Sequence, residues 1–141
     1  MTWVYDDGGR AEYFRADKVG DCAARAIAIA TGKDYREVYD ALAKLCQRRS
    51  GKKSARDGVD KRDIAKYLEE IGWVWHSTMG IGTGCKMHLT KDELPSGTLI
   101  ARVSKHITCV VDGVVHDTHD PSRGGTRCVY GYWTKGCDME P

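Results

Sequence analysis

The sequence has no long apolar run and almost no charge imbalance. No stretch approaches the roughly 20 apolar residues that a membrane-spanning helix needs, so no membrane association is expected. The opening residues Met1-Thr2-Trp3-Val4-Tyr5-Asp6-Asp7 lack a basic start leading into an apolar core. That leaves no signal peptide and places the protein in the cytoplasm by expectation. With 22 basic and 20 acidic residues the net charge is only +2, too little to argue for nucleic acid by itself. The glycine-rich stretch 80–84 lacks the Lys-Ser/Thr pair of a phosphate-binding loop, so no nucleotide is expected there. The 6 cysteines are an even number, but without an export signal they do not argue for a disulfide framework. In a reducing compartment they read instead as free thiols, metal ligands or a nucleophile.

What is present fits one soluble domain over residues 1–141, with hydrophobic residues at 41% and charged residues at 30%. Residues 1–18 read as a short extended arm carrying Trp3, Tyr5, Tyr13 and Phe14 around a Gly8-Gly9 break. The organising stretch is 19–32, Val-Gly-Asp-Cys-Ala-Ala-Arg-Ala-Ile-Ala-Ile-Ala-Thr-Gly. After Arg25 no charge recurs until Lys33, so this helix should be buried on all sides, with Asp21 as its N-cap and Gly32 as its left-handed stop. A second helix begins at the capping-box pair Asp34 and Glu37 and carries Tyr35, Val38, Tyr39, Leu42 and Leu45 on one face. A third starts near Asp60, with Ile64, Tyr67, Leu68 and Ile71 inward and Gly72 as its end.

From Trp73 the period changes from 3.6 to 2. Strands are expected at 73–79, 98–103, 107–111, 114–117 and 127–133, giving helices first and an antiparallel sheet second, an α+β layout. Asp112-Gly113 is a strong hairpin signal. If it is a two-residue turn, Val111 faces Val114 and, counting outward, His106 faces His119. The period of 2 then sets His106, Asp117 and His119 on one side, with His106 and Asp117 as diagonal neighbours within reach of a hydrogen bond. Cys22, in the first turn of its helix, sees the positive end of the helix dipole, which favours thiolate. A nucleophile needs a base, and the base needs a group that fixes its tautomer.

Gly20-Asp21-Cys22 opening a buried helix, then Ser104-Lys105-His106, then Gly113-Val114-Val115-His116-Asp117-Thr118, resembles the Cys-His-Asp order of the papain-like cysteine peptidase superfamily. The sequence is especially similar to small bacterial and bacteriophage proteins with that arrangement. The resemblance implies a papain-like fold, a helix packed on a sheet, and catalytic roles for Cys22, His106 and Asp117. It implies a thiol hydrolase that transfers an acyl group, a peptidase or isopeptidase acting on a protein or peptide substrate. One departure stands out. Relatives commonly carry a glutamine shortly before the cysteine as an oxyanion donor, whereas Gln47 is the only glutamine here; Lys18 or a residue of the arm is the substitute candidate. Asp21 is also an awkward neighbour, because a carboxylate raises a thiol's pKa unless it is turned away.

Two further features carry alternatives. The polar segment from Gln47 to Gly58 holds five basic residues, Arg48, Arg49, Lys52, Lys53 and Arg56, with Lys61 and Arg62 beyond. It supports a second reading, a catalytically inactive papain-like binding protein that uses residues 48–62, Arg48, Arg49, Lys52 and Lys53 foremost, to hold nucleic acid or an acidic protein surface. Cys85-Lys86-Met87-His88 has the spacing of half a zinc site, to which Cys128, Cys137, His116 or His119 could add ligands. Because only one half-site has that spacing, neither a metal nor any other cofactor is expected.

Overall fold

A computed structural model describes residues 2–12, 21–51, 59–79 and 84–136. Tyr13, Phe14, Lys18, Lys52, Lys53, Arg56 and Cys137 lie outside the described residues. Within them three α-helices precede most of a six-stranded sheet. The helices are α1 (Cys22–Thr31), α2 (Tyr35–Ser50) and α3 (Lys61–Glu70). The strands are β1 (Trp3–Tyr5), β2 (Trp73–Ser77), β3 (Thr98–Val103), β4 (His106–Val111), β5 (Val114–Asp117) and β6 (Val129–Lys135), in the order β1-β5-β4-β3-β6-β2.

Helix α1 buries Ala23, Ala24, Arg25, Ala26, Ile27 and Ala28, and Gly32 ends it at φ 75°. Its alanines leave no bulk between the helix and its neighbours, so α1 packs closely on α2 and on β4, while α3 packs on α2 and β2, and all three helices share one core with Ile100, Ile107, Cys109 and Trp133 of the sheet. In α2 the expected inward face holds: Tyr35, Val38, Tyr39, Leu42 and Leu45 are all buried. Asp34 caps it by accepting from the N–H groups of Arg36 and Glu37. This helix runs further than the polar composition of its end suggests. Gln47, Arg48 and Arg49 are good helix formers, and α2 continues through them until Gly51 turns left-handed at φ 83°. The basic segment is thus not one loop. Arg48 and Arg49 belong to the last turn of α2, and Lys61 and Arg62 to the first turn of α3.

The sheet is mixed rather than wholly antiparallel. The N-terminal arm enters it as β1, which pairs in parallel with β5 so that Tyr5 lies beside Asp117. The chain then turns back across α1 at Gly8, whose φ is 68° and where a Cβ would stand 3.0 Å from the Arg25 carbonyl oxygen. Strands β4 and β5 form the expected hairpin, with Val111 opposite Val114 and Cys109 opposite His116. Asp112 and Gly113 both take positive φ, 48° and 81°, as a two-residue hairpin turn of the I′ kind requires.

The reverse side of the sheet carries a second cluster. Leu99, Ala101, Val103, Val110, Val115 and Val129 are covered there by Met87, Leu89 and Leu94 from the connection between β2 and β3. That connection is tied to the start of β6 by a bridge between His88 and Cys128 and by a Cys85–Cys128 disulfide. The disulfide departs from the expectation of dispersed thiols: the residues are 43 apart in sequence, and a spacing pattern carries no information on that pairing.

Candidate active site

The hairpin register decides which side chains meet. With Thr108 opposite Asp117 by continuation of the observed pairing, His106 comes diagonally within reach of Asp117. Its Nε2 donates to Asp117 Oδ2 at 2.7 Å. The two-residue turn at Ser104 and Lys105, with Lys105 at φ 56°, starts β4 on His106 and sets its ring at the end of the sheet. There the N-terminus of α1 abuts β4, which brings Cys22 close enough to His106 and to the backbone of Ile107 for both to lower its pKa. Because Nε2 is taken by Asp117, Nδ1 is the nitrogen left to face the sulfur. Cys22, His106 and Asp117 thus form a continuous chain of contacts, drawn from residues up to 95 positions apart, 117 less 22.

His119 is the residue that could have exchanged places with His106. Its ring lies 5.0 Å from that of His106 between centroids, as the register requires. Its Nδ1 stays 3.9 Å from Asp117 Oδ1, beyond hydrogen-bond length, and its side chain is more than half exposed. His106, Asp117 and His119 offer one ligand atom each within 4.8 Å of one another. The oxygens of Asp117 are, however, already engaged. Oδ2 accepts from His106 and from Thr108 at 2.6 Å, and Oδ1 from Arg25 Nη1 at 2.9 Å and the Thr118 N–H at 2.7 Å.

Arg25 is the functional neighbour that pattern reading passed over. It is buried, donates from Nε to Asp21 Oδ1 at 3.0 Å, and reaches Thr118 Oγ1 at 2.8 Å as well as Asp117. A signal existed: it is the single charge inside an otherwise apolar helix, four residues after an aspartate. Asp21 is correspondingly not a cap. It makes no side-chain bond to the helix N-terminus and turns inward, fully buried. There it accepts from Arg25, from Tyr35 Oη at 2.6 Å, and pairs with Arg10 at 3.5 Å. A buried carboxylate with two guanidiniums and a phenol in reach gains more than one exposed to N–H groups at a helix end. This also removes the difficulty of a carboxylate beside the thiol, since Asp21 is neutralised by its arginines. Arg10 and Arg25 balance Asp21 and Asp117 charge for charge.

The electrostatics follow from these contacts. Burial pushes the Cys22 thiol up, but the hydrogen bond and charge of His106, the Ile107 backbone and Arg25 outweigh it, and the pKa falls below that of an ordinary thiol. Burial likewise opposes protonation of His106, yet its bonds to Asp117 and Cys22 lift it to about 9. Asp117, despite burial, is held down at about 2 by His106 and Thr108. Both shifts favour a thiolate facing an imidazolium over the neutral pair. Cys109 is the contrast: burial, with the charges of Asp6 and Asp117, pushes it up to about 12.

Cys22 and His106 open onto a cleft of about 470 Å³ whose wall includes Lys61, Ile64, Arg102 and Ile107. A largely apolar hollow of about 290 Å³ shares Lys61, Ile64, Arg102 and Ile107 with it and adds Ala65, Trp75 and Trp133, with Arg62 and Glu69 also in its lining. Of the basic residues singled out for binding, Arg48 is exposed on α2 and outside both cavities. Among the described residues no helix is long and apolar enough to cross a membrane. Comparison with protein-family models, with curated proteins and with solved structures found no match to this chain.

Proposed function

We propose that the protein is a cysteine-dependent acyl-transfer hydrolase of papain-like design, acting on a peptide or isopeptide bond of a protein or peptide substrate. The observation that carries this reading is the unbroken contact chain from Cys22 through His106 to Asp117 at a cleft, with the thiol pKa lowered in spite of burial. Among the described residues the free thiols contrast sharply, because Cys46 and Cys109 are buried whereas Cys22 is partly exposed and lines the cleft. In the reaction, the Cys22 thiolate attacks the acyl carbon and forms a thioester, while the imidazolium of His106 gives its proton to the departing amine. A water then attacks the thioester, His106 takes its proton, and the acid leaves as the thiol is restored to its paired state. Asp117 keeps the ring oriented throughout, and the helix N-terminus favours the negative charge that develops beside it.

A simple activated ester tests the first half-reaction without knowledge of the substrate. Mixed with p-nitrophenyl acetate, the protein is expected to release a burst of about one p-nitrophenolate per chain and to carry the acetyl group on Cys22 by peptide mapping. Cys22→Ala should abolish the burst. Acetylation spread over several cysteines or lysines, with no burst, would contradict the reading.

A further inference from the structure

The Cys85–Cys128 disulfide sits among groups that a disulfide does not use. His88 lies opposite Cys128 in an antiparallel bridge, which brings the half-site Cys85-x-x-His88 and a distant cysteine to one place. His88 Nε2 is 3.6 Å from Cys85 Sγ. A tetrahedral zinc with bonds of about 2.3 Å to sulfur and about 2.0 Å to nitrogen separates those two ligand atoms by roughly 3.6 Å. The other ring nitrogen is held as well. His88 Nδ1 is 3.1 Å from Glu93 Oε1, and the same oxygen accepts from the His88 backbone N–H at 2.8 Å. A carboxylate that accepts the Nδ1 proton leaves Nε2 with a free lone pair on the side of the Cys85 sulfur. This is the arrangement that orients histidine ligands on metals.

We propose that when this disulfide is reduced, Cys85, His88 and Cys128 bind one zinc ion, with a water as fourth ligand. Reduction by a dithiol adds two electrons and two protons to the sulfur–sulfur bond, giving two thiols and the oxidised dithiol. Zinc binding then displaces both thiol protons to solvent, and the thiolates and the neutral imidazole take three corners of the tetrahedron. With Cα atoms 5.9 Å apart, rotation about the side-chain bonds is enough to set the sulfurs about 3.8 Å apart, the spacing for two thiolates on one zinc. Two thiolates and an imidazole are soft donors, suited to zinc and not to magnesium or calcium. The ion would hold the covering strap of Met87, Leu89 and Leu94 to β6, so the back of the sheet keeps a cross-link whether the compartment is oxidising or reducing.

Cobalt(II) titrated into the reduced full-length chain reads the site directly, through thiolate-to-cobalt charge-transfer absorption, and zinc should displace it. One equivalent per chain is expected, with none bound while the disulfide is intact. Cys85→Ser should remove the absorption, Glu93→Gln should weaken binding about 10–100-fold, and His119→Ala should leave it unchanged. Absence of the absorption from the reduced wild type overturns the proposal, as does equal binding by Cys85→Ser. Loss in His119→Ala with retention in Cys85→Ser would move the metal to the His106, Asp117 and His119 cluster and overturn it too.

Discussion

In the Asp117→Ala protein, turnover of an acyl substrate is expected to fall by about 10⁴-fold, the loss seen when the tautomer-selecting carboxylate of a related triad is neutralised. The structure adds a cost that a catalytic role alone does not carry. Asp117 is also a partner of the buried Arg25, so its removal strips a buried guanidinium of one of its two carboxylates. Breaking a buried pair costs about 3–5 kcal/mol, and because Asp21 still faces Arg25 the lower end is expected here. Asp117 makes stability pH-dependent in a definite direction. Its folded pKa of about 2 lies below its ordinary 3.8. The stabilisation is therefore complete above about pH 4 and lost as pH falls toward 2, and it amounts to roughly 2 kcal/mol. Urea denaturation between pH 2 and 5 should show that acid limb in the wild type and its flattening in Asp117→Asn. An Asp117→Ala protein with unaltered midpoint and turnover within tenfold of the wild type would remove Asp117 from both roles.

The second large effect falls on Arg25. Replacing it by methionine keeps the volume and apolar stem but leaves Asp21 and Asp117 facing each other's neighbourhood without the shared cation. A loss of about 3–5 kcal/mol is expected by chemical denaturation. Arg25→Lys should recover only part of it, because one ammonium cannot present Nε to Asp21 while Nη1 reaches both Asp117 and Thr118. Turnover should fall with stability, since the carboxylate that orients His106 is itself oriented by this fork. If Arg25→Met stays within about 0.5 kcal/mol of the wild type, the network contributes geometry and no net stability.

Much of this site is legible in the sequence. A two-residue Asp112-Gly113 turn leaves a single register, and a single register places His106, Asp117 and His119 together by counting alone. The apolar run after Arg25 likewise points to a buried α1, which holds for residues 23–28, whereas Ile29, Ala30 and Thr31 are only partly buried. What pattern reading missed depends on tertiary partners. Asp21 has the identity and position of a cap, and only the arrival of Tyr35, Arg10 and Arg25 around it explains why it turns inward. The arm carries too few apolar positions to reveal that β1 pairs in parallel with β5. Helix α2 overruns its expected end because basic composition suggests a loop, although arginine and glutamine are good helix formers. The Cys85–Cys128 pairing has no local signature at all.

The central claim is that His106, held by Asp117, lowers the pKa of Cys22 below that of an ordinary thiol. The rate of Cys22 alkylation by iodoacetamide as a function of pH, read by peptide mapping in the wild type and in His106→Ala, tests it most directly. The wild type should react well below the ordinary thiol pKa of about 8.5, with Cys22 far ahead of Cys46 and Cys109, and His106→Ala should move the curve up to or above that value. Identical curves for the two proteins, both rising only near or above pH 8.5, would contradict the account.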